Sequence, residues 1–140
     1  MDRTIRLRVI LHGAIVMLAG LLCGLPAVNE ADAERYWHTA HEALILIGVL
    51  LFALSSVMPY LVLGKSEAKM LFRSLLATGY GLMGGTVLQG VTGQHAFGPS
   101  ASPVVMIAFL SNVVGILGSV LTASLVIMGA LAALKASPKD

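Results

Sequence analysis

The stretch Ala43-Leu-Ile-Leu-Ile-Gly-Val-Leu-Leu-Phe52 decides the fold. A membrane barrel strand alternates apolar and polar residues at every second position, and this run does not alternate. Backbone groups exposed to lipid must satisfy their hydrogen bonds internally, so the run reads as helix. It lies inside one of four long stretches free of Asp, Glu, Lys and Arg: Val9 to Val28, Ala43 to Gly64, Ser74 to Gln94 and Val104 to Leu134. Each is long enough to cross a hydrocarbon core, for which about 20 residues suffice.

Composition agrees. Apolar residues make up 57% of the 140 and charged residues 11%, with a mean hydropathy of +0.89. Soluble domains carry about 25% charged residues, and disordered chains need low hydrophobicity with high charge, so both classes are excluded. The expected architecture is an all-α integral membrane protein: one domain over 1–140, a four-helix transmembrane bundle with helices near 6–28, 32–63, 69–92 and 103–135. Arg3, Arg6 and Arg8 before an apolar run, with Ala31-Asp-Ala33 after it, resemble a cleaved signal. The run is long for a signal and contains His12, so the first helix is expected to stay.

Topology follows from the nine cations. Arg3, Arg6 and Arg8 precede helix one, Lys65, Lys69 and Arg73 separate helices two and three, and Lys135 and Lys139 follow helix four. Only Arg35 lies on the other side, beside Glu30, Asp32 and Glu34. The positive-inside rule puts both termini in the cytoplasm, as expected for a multi-pass protein of a bacterial inner membrane. No nucleic-acid partner is expected.

Asn29 or Asp32 can cap helix two, which places His41 and Glu42 inside the outer leaflet, while Pro59 falls near the inner end and can kink the helix. Small residues recur four apart at Gly81 and Gly85, at Ser111, Gly115 and Ser119, and at Gly20 and Gly24. In lipid such spacing brings helix backbones together, within the chain or between subunits. Cys23 is alone and reads as a small packing residue.

Buried polar groups are costly in a membrane, at about 2.5 to 3.5 kcal/mol for a central charge, so each one calls for a reason. Glu42 is the one carboxylate placed well inside a membrane helix, and Trp37-His38-Thr39-Ala40-His41-Glu42 gathers most of the polarity. Residues three and four apart share a helix face, so His38 can neighbour His41 and Glu42. A zinc or non-haem iron site would need further ligands, which only His12 or His95 could supply as imidazoles. One imidazole deep in an apolar bundle suits an axial haem ligand better. The bland alternative is an interfacial girdle of Tyr36, Trp37 and His38, with Glu42 paired to His38.

These residues also resemble a family. His12-Gly13, Trp37 with Ala40-His41, Gly48, Lys69 and Arg73, Phe97-Gly98-Pro99 and the closing Ala133-Leu134-Lys135 occur in the order found in small four-helix membrane isomerases. These are typified by styrene oxide isomerase and the related hydroxylaminobenzene mutases. The resemblance implies haem b with His41 as axial iron ligand, held between subunits of a homotrimer; Trp37, His12 and His38 are the further residues expected to line the cofactor. It implies ferric iron acting as a Lewis acid on a small apolar substrate that enters from the bilayer, taking an epoxide to an aldehyde or an aryl hydroxylamine to an aminophenol without net redox.

The sequence departs from the family at the polar pocket. Ile47 stands where both groups carry an asparagine, and an ungapped match puts Leu82 and Gly90 at the isomerase's helix-three aspartate and tyrosine. Tyr80, Gln89 and Glu42 are the candidates to supply that polarity as catalytic groups. Two other readings stand beside this one. A haem b electron-transfer or sensing subunit would need two imidazoles at one depth, and a cofactor-free scaffold or transport subunit would need neither.

Overall fold

The computed structural model describes residues 3–25 and 34–137. They form four α-helices and, among the described residues, no strand: α1 (Arg3–Cys23), α2 (Glu34–Val57), α3 (Lys65–Thr92) and α4 (Pro103–Ala136). A single 3-10 turn, Met58–Tyr60, follows α2. Pro59 lies in that turn and has no N–H for an α-helical bond, so α2 stops at Val57 instead of kinking and running on to 63. The expected caps Asn29 and Asp32 lie outside the described residues, while α1 ends at Cys23, with Gly24 and Leu25 in a turn, short of the expected 28.

The third helix starts at Lys65, four residues before the expected position, because the Glu67 carboxylate caps the backbone N–H of Gly64. The Gly64 N–H donates to Glu67 Oε2 at 2.7 Å. At the other end Gly93 adopts φ 61, the left-handed conformation that closes a helix at little cost only with glycine. Ser102 precedes α4, and Pro103 occupies its first turn, where a missing N–H costs nothing.

The helices pair as α1 with α2 and α3 with α4, and α3 also packs against α1 and α2. Small residues explain both pairings. A Cβ on Gly48 would lie 2.6 Å from the Cβ of Met17, and one on Gly20 would lie 2.9 Å from the Ile45 backbone nitrogen. On the other pair, Gly81 faces the Gly115 backbone, Gly85 receives the Asn112 side chain, and a Cβ on Gly118 would lie 2.7 Å from the Thr78 nitrogen. The small-residue registers seen in the sequence therefore serve contacts within the chain.

By length and composition α1, α2 with its 3-10 turn, and α4 are apolar enough to cross a membrane. The third helix falls short because it is the innermost: it carries five glycines and the buried polar residues Ser74, Thr78, Thr86 and Gln89. Thr78 and Thr86 return their hydroxyls to carbonyls four residues earlier, and Ser74 shares a 2.8 Å hydrogen bond with Thr122 of α4. Leu18, Leu46, Leu117 and Val120, each more than half exposed, cover the outer surface with hydrocarbon. Cys23 is buried and free.

Replacing Gly118 by Val is expected to lower stability by about 2–3 kcal/mol, since the new side chain meets backbone that cannot retreat. Gly98→Ala, where a Cβ meets nothing within 4 Å, is the control and should change little. Thermal unfolding in detergent measures both; equal melting temperatures would show that the α3–α4 seam is looser than described.

Candidate functional site

His41 lies seven residues into α2, half-buried on the face turned to α1. Its Nδ1 is 2.9 Å from the carbonyl oxygen of Gly20. A carbonyl can only accept, so Nδ1 carries the proton and donates it. In the neutral ring Nε2 is then left with a lone pair, and it has no hydrogen-bond partner among the described residues. The ring also rests on Gly24, where a Cβ would come within 2.9 Å of Nδ1 and 3.1 Å of Cε1. Gly20 thus aims the imidazole, and Gly24 makes room for it.

An imidazole whose Nδ1–H is tied to a backbone carbonyl has the arrangement metal-ligating histidines use to fix tautomer and ring orientation and to raise ligand basicity. Among the described residues no three His, Cys, Asp or Glu side chains gather as a metal-binding group. The donor set therefore fits a group that asks one imidazole of this helix pair and supplies its remaining ligands itself, as haem does.

The other expected site residues are dispersed. His38 is exposed, with Nε2 3.6 Å from Glu34 Oε1 one turn back, and is not paired with Glu42. Glu42 is exposed and has no hydrogen bond or ion pair among the described residues. Trp37 does not join a surface girdle: its indole lies over Gly90 of α3, whose missing side chain leaves the space. The Trp37 Nε1 is buried without a partner among the described residues. Tyr36 stays at the rim, its ring edge-on to His95 with centroids 5.1 Å apart.

His12 and Tyr80 share a 2.7 Å hydrogen bond, with Phe72 tilted against the imidazole. His12 precedes Gly20 by eight residues on α1, roughly 12 Å of helix rise from the layer where His41 docks. One chain therefore does not bring these two imidazoles to the same iron. Gln89 is buried with both ends of its amide engaged: Nε2 donates to the Gly85 carbonyl, and Oε1 accepts from the Ala96 N–H, each at 3.4 Å. Asn112 Nδ2 donates to the Ala96 carbonyl at 3.1 Å. Gln89 and Asn112 thus pin the α3–α4 connection, and neither Glu42, Tyr80 nor Gln89 hydrogen-bonds His41.

The sequence pointed to His41 and missed what holds it. Gly20 and Gly24 were visible there only as small residues four apart; the acceptor is a backbone carbonyl, which any residue type carries.

Below this layer, between α2, α3 and α4, lies a pocket of about 240 Å³ walled by Ile47, Leu51, Leu54 and Leu75, with the hydroxyls of Thr78 and Thr122 on one side. Ile47, at the departure from the family pattern, makes its upper wall apolar.

No curated protein and no solved structure matches the chain. One family does match, described as styrene oxide isomerase, over residues 5–131, a span that includes His12, His38, His41, Glu42, Tyr80 and Gln89. With nearly the whole chain covered, the protein belongs to the styrene oxide isomerase family and has the isomerase-type function that membership carries.

Proposed function

We propose that the protein is a haem b isomerase of the bacterial cytoplasmic membrane, with His41 as the axial ligand, acting on a small apolar substrate drawn from the bilayer. The observation that carries this reading is the 2.9 Å contact between His41 Nδ1 and the Gly20 carbonyl, which leaves Nε2 free to ligate. When bound, ferric haem supplies a Lewis acid that polarises an oxygen without proton bookkeeping, as an epoxide-to-aldehyde or hydroxylamine-to-aminophenol rearrangement requires.

The chain's own residues do the rest. Gly20 and Gly24 hold the imidazole at a fixed angle. Leu18, Leu21, Leu22 and Leu46, exposed on α1 and α2, give an apolar surface that keeps water from a cationic centre as the carbon–oxygen bond opens. Glu42, next in the chain after His41 and exposed, is the nearest carboxylate available to orient a polar group of the substrate. Ile47 and the apolar pocket below it favour an aromatic hydrocarbon body over a polar one. The exposed surface around His41 is closed by further copies of the chain, a trimer on the family pattern.

The test is a visible spectrum and a turnover assay on purified protein. Non-covalent haem b near one per chain and conversion of an aryl epoxide or aryl hydroxylamine with no added reductant are expected. Protein that stays haem-free through reconstitution would end the proposal. A six-coordinate low-spin spectrum without turnover would favour an electron-transfer or sensing role, with the second imidazole from another copy.

A further inference from the structure

The outer seam of α3 and α4, away from His41, carries a furrow. Two hollows of about 430 and 390 Å³ meet at Val114, which lines both. The floor is made by Ala77, Gly81, Ser111 and Gly118, whose small side chains let the helices approach; the walls are Met70, Leu117 and Leu121 at one end and Ile107 and Leu110 at the other. From Met70 to Gly81 the furrow runs roughly 16 Å at 1.5 Å per residue, about one leaflet of a 30 Å hydrocarbon core.

Arg73 stands at the end of the furrow nearest the cation-rich face. It is exposed, as is Lys69 one turn before it, and neither has a hydrogen bond or ion pair among the described residues. Like charges four apart on a helix repel, so the pair gains from an anion between them. Glu67, the one carboxylate described near that end of α3, is committed to the Gly64 cap. A second copy of the chain in the same membrane orientation would bring Arg3, Arg6, Arg8, Lys65 or Lys135 to that depth, and therefore more positive charge. An apolar slot one leaflet long, ending at two unpaired cations, matches a single molecule with an acyl chain and an anionic head.

We infer that the α3–α4 furrow binds an anionic phospholipid of the cytoplasmic leaflet, its acyl chain lying over Ala77 and Gly118 and its phosphate held by Arg73 and Lys69. The inference is independent of haem. Each cation near a membrane surface strengthens attraction to anionic lipid by about fivefold.

Native mass spectrometry of the full protein in mild detergent, titrated with phosphatidylglycerol and with phosphatidylcholine of the same chains, tests it. The wild type is expected to bind phosphatidylglycerol at least about fivefold more tightly. Arg73→Gln should remove most of that preference and leave the shared, weaker binding. Val114→Trp, a change at a lipid-exposed position that plugs the furrow midway, should remove tight binding of both lipids while the oligomer mass stays the same. Equal binding of the two lipids by the wild type, or a preference that survives Arg73→Gln, would overturn the proposal. So would a smaller oligomer in Val114→Trp, which would mean that a second copy occupies the furrow.

Discussion

His41→Gly protein is expected to purify colourless where the parent is red, and to regain colour when imidazole is supplied in solution. The variant deletes the one imidazole among the described residues whose Nδ1–H is held by a backbone carbonyl, with Nε2 left without a partner. Losing a partner of a metal-ligating histidine costs roughly 10–100-fold in metal affinity, and losing the ligand itself should cost more. Turnover should disappear with the haem.

The fold should survive, because His41 is half-buried and its loss frees one carbonyl, that of Gly20, at a cost of about 1–3 kcal/mol. His41→Gln separates the two roles. Its amide can still donate to Gly20 and keep the helix pair closed, yet it offers iron no imidazole nitrogen. Haem content is read from the pyridine haemochrome spectrum and folding from thermal unfolding. Haem retained at one per chain in both variants, with an unchanged spectrum, would remove His41 from the centre and the proposed function with it.

The place of His41 on a helix long and apolar enough to cross a membrane was legible in the sequence because hydropathy and charge are written there residue by residue. The apolar spans could be read from their content, whereas the end of α2 could not: Pro59 was expected to kink the helix, and it closes it at Val57 instead. The third helix shows where that reading weakens: a helix packed against three others needs small and hydroxyl-bearing residues more than leucine, so the most buried helix has the least membrane-like composition.

Side-chain direction was legible only in part. Tyr36 and Trp37 are neighbours in the chain and equally suited to an interface, yet one remains at the rim and the other turns onto Gly90. The choice depends on a gap left by a glycine 53 positions away, which no local pattern records. Gln89 likewise read as buried polarity with a chemical purpose, and the structure assigns its amide to the Gly85 and Ala96 backbone. Exposure of Glu42 was hidden for a different reason: whether a carboxylate at membrane depth faces protein or lipid depends on helix rotation, and both rotations are compatible with the same run of residues.

Substituting alanine at Gly20 on α1 and at Gly24 in the turn that follows it is expected to give opposite phenotypes. At Gly20 the added Cβ meets backbone, with the Ile45 nitrogen at 2.9 Å and the Leu44 carbonyl carbon at 3.1 Å. Backbone in a packed helix cannot step aside, so α1 and α2 must separate; stability should fall by about 1–3 kcal/mol. At Gly24 the Cβ meets the His41 ring, the far end of a side chain that can rotate. Its rotation breaks the Nδ1–H bond to Gly20 and swings Nε2 off its line. Gly24→Ala protein should therefore melt at the wild-type temperature in its haem-free form, and should bind haem roughly 10–100-fold more weakly, the cost of losing an outer-shell partner. Its midpoint potential should rise, because an imidazole that no longer donates to a carbonyl is a poorer electron donor to ferric iron. The potential separates this account from simple damage, since a loosened helix pair would lower the melting temperature and haem content together without a defined electronic shift. A Gly24→Ala protein with wild-type haem affinity and potential would show that the Gly20 carbonyl does not set the His41 imidazole for its ligand.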